Sequence, residues 1–325
     1  MEELKHFYFF ESVLFIRKTF LLWLVLTIFA LIVLFPRLEL ILLGISREEI
    51  VALGRDRVMM LLTPISLVLA SISILSVNPL RVKLVTFSLF IIVTVYSLSR
   101  AEILNLLFFL AVLISFSSIE KKKENIRKLF IYFFLLLALS AVITIYQGRS
   151  VNLERAVVNM MEALFKYSAF SMYLSEIVVQ KVNLDFEKLY FPFFGFFSER
   201  FLSIFAELDN PIGVDGSSFV SEFHSLGYTN ALSANVVYPW WPWFYALYGW
   251  IGLIFKSVYI YLLLLLFKTC NLRFSLLYFF YVLFFLQYKK HPFLNNDSVY
   301  FFVAIISLDL ICNMFMKRRS SHHCE

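Results

Sequence analysis

Apolar positions in this chain form long unbroken runs, and polar positions fall between them in short basic clusters. Eight such runs stand out, at approximately 19–35, 58–77, 83–99, 102–118, 129–146, 243–267, 274–288 and 298–316. A helix of roughly 17 to 25 apolar residues matches the thickness of a bilayer's hydrocarbon core. The runs are continuously apolar, without the alternation of a barrel strand, so each predicts a membrane-spanning helix. The first run either continues past Pro36 toward Leu43 or, as Arg37 and Glu39 suggest, ends near the proline. The seventh is short, and its tail Tyr288-Lys289-Lys290 is expected at the membrane interface.

The basic clusters set a direction. With Lys121-Lys122-Lys123, Arg127 and Lys128 on the cytoplasmic side, alternation also places there Arg17-Lys18, Arg81 and Lys83, Lys268 and Arg273, and Lys317-Arg318-Arg319. Lysine and arginine close to span ends favour the inside. The expected protein is therefore a multi-pass protein of a bacterial inner (plasma) membrane with both termini cytoplasmic. The opposite side receives Gly44–Arg57, the turn at Ser99–Glu102, residues 147–242 and the turn Lys289–Asn296. Lys5, Arg17 and Lys18 precede the first run with no small-residue cleavage site after it, which reads as a signal anchor.

The expected fold is all-α: a polytopic transmembrane helical bundle of about eight spans with one large, partly helical extracytoplasmic loop. Residues 1–146 hold spans one to five, 147–242 form the loop, and 243–325 hold spans six to eight and a cytoplasmic tail. The loop is long, and connections of that length are usually functional or disordered. This one is too apolar for disorder. Ala156–Gln180 predicts a helix, with Glu162 and Lys166 one turn apart, lying against the bundle or in the headgroup zone; the alternative is a ninth span, which would invert the topology downstream. The Phe-rich Leu189–Phe197 is too short to cross and is expected to dip into the interface. Asp209-Asn210-Pro211-Ile212-Gly213-Val214-Asp215-Gly216 is turn-forming, and Tyr238-Pro239-Trp240-Trp241-Pro242-Trp243 suits re-entry at headgroup level.

Composition supports a membrane chain: of 325 residues, 61% are hydrophobic and 16% charged, against near half and one quarter in soluble domains. The net charge of +6 is scattered beside spans and forms no basic stripe, so no nucleic-acid partner is expected. Cys270, Cys312 and Cys324 fall on the inner side and the loop has none, so no disulfide is expected. His322-His323-Cys324 are adjacent and cannot close a tetrahedral site, so no metal is expected there. Asp209 and Asp215 read as turn residues rather than metal ligands.

Three features resemble the O-antigen polymerase family of oligosaccharide repeat-unit polymerases, relatives of the O-antigen ligases. A tight Ser99-Arg100 turn joins two apolar spans, and one large loop holds dispersed arginines and a histidine. The loop closes with Asn210-Pro211-Ile212-Gly213, the aromatic re-entry, and Ala246-Leu247-Tyr248-Gly249-Trp250-Ile251-Gly252. The likeness covers most of residues 83–267; family members usually carry more spans. The resemblance implies a metal-independent, cofactor-free glycosyltransferase acting in lipopolysaccharide or similar polysaccharide biosynthesis. Its substrates would be polyprenyl-diphosphate-linked oligosaccharides such as undecaprenyl-diphosphate-linked repeat units. Its partners would be membrane lipids and a chain-length regulator and flippase of the same pathway. A ligase-type glycan transferase would use the same chemistry; a lipid-linked oligosaccharide transporter or flippase and a non-catalytic scaffold are the alternatives from other classes.

The implied transfer needs a cation for the departing diphosphate and a base for the acceptor hydroxyl. Arginine grips phosphate oxygens in pairs and stays charged beside a membrane. Arg100, Arg149, Arg155 and Arg200 are the substrate-binding candidates; His224, with Glu222, is the candidate base. Each has a plainer role available: the arginines as interface anchors or partners of nearby carboxylates such as Glu199, and His224 as an ordinary loop histidine. In the spans, Lys256 and Asp309 are costly ionisable groups at comparable depth, expected to pair; snorkelling is the alternative for Lys256.

Overall fold

The computed structural model describes residues 13–46, 49–50, 54, 56–76, 78–117, 119–146, 152–181, 188–205, 223–226, 232–235, 238–294 and 296–321. The chain is mainly helical. Its principal helices are α1 (Phe20–Leu42), α2 (Arg57–Leu75), α3 (Leu80–Ser97), α4 (Arg100–Ser115), α5 (Ile119–Tyr146), α6 (Leu153–Lys181), α7 (Phe191–Phe194), α8 (Phe196–Leu202), α9 (Trp241–Thr269), α10 (Arg273–Tyr281) and α11 (Asn296–Ser321). Strands β1 (Phe223–Leu226) and β2 (Leu232–Asn235) pair antiparallel, with Phe223 opposite Asn235 and Leu226 opposite Leu232.

Every expected run is a helix. Among the described residues six are long and apolar enough to cross a membrane: Phe20–Leu42, Arg57–Leu75, Leu80–Ser97, Lys121–Tyr146, Trp241–Thr269 and Asn296–Phe315. Ala101–Ser115 and Arg273–Leu286 are apolar but shorter. These helices make the chain a multi-pass membrane protein by length and composition.

Two compact units form. The first comprises residues 1–160, 271–278 and 303–325; the second comprises 161–270 and 279–302. In the first, α2 packs against α3, α4 and α5, and α3 also meets α1. Small hydroxyl residues suit α2 to that interior position, and Ser66 and Ser71 satisfy themselves on their own helix. Ser66 donates to the Thr63 carbonyl at 2.9 Å and Ser71 to the Leu67 carbonyl at 2.7 Å. The link between α3 and α4 is as tight as the sequence suggested: Leu98 adopts left-handed backbone (φ 48) and Ser99 is extended before α4 begins.

Of the two ends open to the first run, α1 takes the later one. The helix does not stop near Pro36 but runs to Leu42, and Arg37 is only 8% exposed. The side chain earns its place by partners: its guanidinium lies 3.9 Å over the Tyr96 ring and donates to the Tyr96 carbonyl at 3.1 Å and to the Gly54 carbonyl. The Tyr96 hydroxyl in turn accepts the Asp56 N–H at 2.9 Å. Asp56 caps α2, its carboxylate accepting from the Val58 and Met59 N–H groups. These contacts bring the C-terminal ends of α1 and α3 to the start of α2.

The other end of the unit holds basic groups. Arg81 stacks over Phe20 at 5.6 Å and Lys128 pairs with Glu124 at 2.6 Å. There too Phe15 meets Phe274 and Phe315, and Asn313 donates to the Asn271 carbonyl.

In the second unit the far half of α6 contributes Phe170, Leu174 and Val178 to a core with Phe191, Tyr238, Trp243, Leu247 and Leu294. Ser171 donates to the Tyr288 carbonyl at 2.8 Å, fixing the helix to that core.

The expected span 243–267 is not one straight helix. Gly249 breaks it (φ 59, ψ −146), a conformation open essentially to glycine alone. Trp240 then lies beside Lys256 and Tyr259, and Phe244 beside Gly252, a pairing that runs antiparallel about the break. A Cβ at Gly252 would run into the Phe244 carbonyl, so glycine there permits the fold-back. Beyond the break the apolar helix runs from Trp250 to Thr269, about 20 residues or roughly 30 Å, long enough to cross a bilayer.

Candidate functional site

The fold-back brings polar groups to one corner of the second unit. After α10 the chain enters a π-helical turn, Val282–Leu286, in which the Gln287 N–H reaches the Val282 carbonyl at 2.8 Å. Such turns shift the side-chain register and recur at functional sites. The shift is followed by a main-chain bond in which the Trp240 N–H donates to the Gln287 carbonyl at 2.9 Å. It also sets the Gln287 Oε1 2.8 Å from the Lys256 ammonium, which lies 5.4 Å from the Trp240 ring. Gln287 is held from behind, its Nε2 donating to the Leu283 carbonyl.

Beneath this pair sits His291, fully buried. Its Nδ1 accepts the Phe293 N–H at 3.0 Å, leaving Nε2 as the donor to the Pro192 carbonyl at 3.1 Å. Trp240 Nε1 donates to the same carbonyl at 2.8 Å. Burial pushes the His291 pKa down to about 3, against the opposing pull of the Pro192 and Phe191 backbone bonds; the Lys256 charge lowers it further. With both nitrogens occupied and the ring neutral, His291 is a clamp rather than a base. It clamps α7 to the 291–294 turn, where Gly195 (φ 50) lets the Phe196 N–H donate to the Phe293 carbonyl at 2.8 Å.

Aromatic rings wall the corner. Phe193 packs on Phe244, Tyr248 and Tyr259, and the Tyr259 hydroxyl donates to the Phe193 carbonyl at 2.8 Å. The Tyr248 hydroxyl reaches the Leu189 carbonyl. The arrangement offers one ammonium at an aromatic wall, able to hold negative charge. Among the described residues no cluster of three His, Cys, Asp or Glu is placed to hold a metal ion.

The residues expected from sequence sit elsewhere. Arg100 opens α4, but its side chain lies outside the described residues, as do Arg149 and Glu222 entirely. Arg155 is exposed in the first turn of α6, in the first unit, where its N–H is capped by the Asn152 side chain at 2.9 Å. Arg200 is exposed on α8, in the second unit, and stacks over the Phe196 ring at 5.2 Å. Among the described residues neither guanidinium has a hydrogen-bond or ion-pair partner. Arg200 therefore does not pair with its neighbour Glu199, which is buried. His224 lies on β1 opposite Ala234, with its side chain outside the described residues.

The expected pairing of Lys256 with Asp309 is replaced by separate partnerships. Lys256 bonds to Gln287, whereas Asp309 accepts from the Phe274 N–H at 2.8 Å and from the Ser275 N–H and hydroxyl at 2.7 Å each. A helix N-terminus supplies donors and partial positive charge, and it satisfies the carboxylate without a counter-cation. Sequence reasoning singled out Lys256 but missed Gln287, a lone amide inside Phe284-Phe285-Leu286-Gln287-Tyr288, and missed His291. Polar residues interrupting an otherwise apolar stretch were the available signal. Comparison of the chain with family models, with curated proteins and with solved structures finds no match in any of the three.

Proposed function

We propose that the chain is an integral-membrane glycosyltransferase that polymerises polyprenyl-diphosphate-linked oligosaccharide repeat units at the periplasmic face of a bacterial inner membrane. All eight apolar helices cross in this reading, with both termini cytoplasmic and residues 147–242 outside. The observation that carries it is the stretch between the apolar helices ending at Tyr146 and beginning at Trp241. The long helix α6, the short aromatic helices α7 and α8, the β1–β2 pair and an aromatic fold-back occupy it. The other connections between the apolar helices are far shorter in sequence, so this stretch is where a substrate-handling surface has room.

Exposed Arg155 and Arg200 support the reading as cations able to meet a diphosphate, with Arg100 and Arg149 as further contacts. His224, with Glu222, takes the proton from the acceptor hydroxyl as that oxygen attacks the anomeric carbon and the lipid diphosphate departs. Energy comes from that departure.

The test is chain extension in proteoliposomes supplied with lipid-linked repeat units. Wild-type protein is expected to give a ladder; Arg155→Ala and His224→Ala lose it, by about 10²-fold or more for the base, at unchanged membrane expression. Full activity in both variants sinks the assignment. Labelling of cysteines placed at Ser217 or Asn230 from the cytosolic side alone overturns the topology.

A further inference from the structure

We propose that α9 beyond the Gly249 break is a dimer seam, packing parallel against the same helix of a second copy of this chain. The inference goes beyond glycan transfer and rests only on this helix crossing a membrane.

Of the six long apolar helices, α9 is the least buried within its own chain. Lipid covers apolar side chains well, so exposure alone names no occupant. Two polar side chains do. The stretch from Trp250 to Thr269 spans roughly 30 Å, and Tyr261 lies eleven residues along it, roughly 16 Å. The residue is 64% exposed, and among the described residues its hydroxyl has no acceptor. Helical side chains lean toward the helix N-terminus by about one turn, so the hydroxyl sits roughly 10 Å inside the hydrocarbon. Little water reaches that depth, and a donor left unpaired there is costly. Ser257 is exposed one turn earlier, at the level the Tyr261 hydroxyl reaches. It donates to the Leu253 carbonyl at 3.0 Å, and its Oγ keeps lone pairs with which to accept. Within the helix no bond joins the two residues.

One stripe thus carries both a donor and an acceptor, and the membrane fixes how they meet. Copies of one chain insert in one orientation, so two such helices run parallel and a twofold axis sets like against like. Trp250, Ile254, Ser257, Tyr261, Leu264 and Lys268 follow one another by alternate steps of four and three, the repeat of a two-helix seam. Each seam residue fits a hole that its counterpart and the neighbouring seam residues help to form, which brings Tyr261 beside the partner's Ser257. The small serine lets the backbones approach, and each tyrosine hydroxyl donates across to the Oγ of the partner's Ser257. One bond made twice satisfies both donors. A different protein would need the complementary pair at the same depth, whereas a second copy has it by symmetry. Trp250 and Lys268, both exposed, close the seam at its two ends, where amphipathic side chains meet headgroups.

The experiment uses the full chain, labelled with donor or acceptor dye and reconstituted together in phosphatidylcholine vesicles. Energy transfer is followed as added lipid dilutes the protein. Wild type is expected to associate as a dimer. Tyr261→Phe and Ser257→Ala should each weaken association about tenfold, the size of two hydrogen bonds between helices in a membrane. The double variant should lose no more than either alone, because the two residues share the same bonds. In a chain with Cys270, Cys312 and Cys324 replaced by serine, Ser257→Cys should cross-link to its counterpart on mild oxidation. Leu262→Cys, exposed but off the seam, should not. Absence of transfer at every dilution overturns the proposal, and so does transfer that Tyr261→Phe leaves unchanged. Additive losses in the double variant, or cross-linking through Leu262→Cys alone, overturn it as well. Capture of a different protein by Ser257→Cys in native membranes, with no dimer, gives the face to that partner and overturns the second copy. Should a variant fold poorly, cross-linking at the two cysteine positions decides.

Discussion

Asp309 and Ser275 are joined twice, one carboxylate oxygen accepting both the backbone N–H and the hydroxyl of the serine at 2.7 Å. The other oxygen takes the Phe274 N–H. A residue on α11 thereby caps α10, whose own first turn offers no acidic side chain. The buried carboxylate is a structural joint.

Asp309→Ala leaves those N–H groups without an acceptor in an apolar interior. It should cost about 2–3 kcal/mol, and Ser275→Ala about 1 kcal/mol. Asp309→Asn keeps one acceptor oxygen and should fall between them. Unfolding temperatures of the purified variants in one detergent give the order; an Asp309→Ala protein as stable as wild type removes the capping role.

The glycines of the second unit should rank by what surrounds them. Gly195→Ala meets the Phe293 carbonyl and a strained backbone together, and Gly252→Ala meets the Phe244 carbonyl. Each should cost about 3 kcal/mol or more. Gly249→Ala enters open space and carries only the backbone penalty, about 1–3 kcal/mol. Yield of monodisperse protein from membranes reads this order, and a Gly249→Ala variant worse than Gly252→Ala contradicts it.

His291 predicts an acid-sensitive fold. Its folded pKa of about 3 lies below the unfolded value of 6.5, so acid protonates the unfolded chain first. The stability it confers is whole above about pH 6.5 and declines as pH falls toward 3, by up to about 1.4 kcal/mol per pH unit. His291→Gln cannot titrate and should flatten that part of the profile. Unfolding temperatures from pH 7 to 4 test it; parallel profiles for the two proteins rule the assignment out.

Arg37 should tolerate no substitute. Lysine cannot span the Tyr96 and Gly54 carbonyls as the planar fork does, so Arg37→Lys is expected to lose about 1–2 kcal/mol. Arg37→Met removes the cation over the Tyr96 ring as well and should lose more. Thermal unfolding of both beside wild type measures the difference, and equal stability of all three discounts the contact.

The helices were legible because a bilayer demands length and apolarity, which Leu80–Ser97 or Asn296–Phe315 carry locally. The break at Gly249 was not, since Trp243–Phe267 stays apolar on both sides of it and a glycine inside a helix is common. The partner of Asp309 was hidden for another reason: a cap supplied from a different helix leaves no mark near the helix it closes. Lys256 advertised itself by its cost in an apolar run, yet Gln287 is reached only through a π-turn that shifts the register, which periodicity does not reveal. The expected bases and arginines of 147–242 came from resemblance and from residue type, and these carry no spatial information.

The fold-back also constrains how this chain can vary over evolutionary time. Adding or removing one residue between Gly252 and Lys256 rotates everything beyond it by about 100°, turning the amine off its glutamine while the apolar character hardly changes. The count of residues in that stretch, more than the identity of an exposed one such as Ile254, is what holds the amine in place.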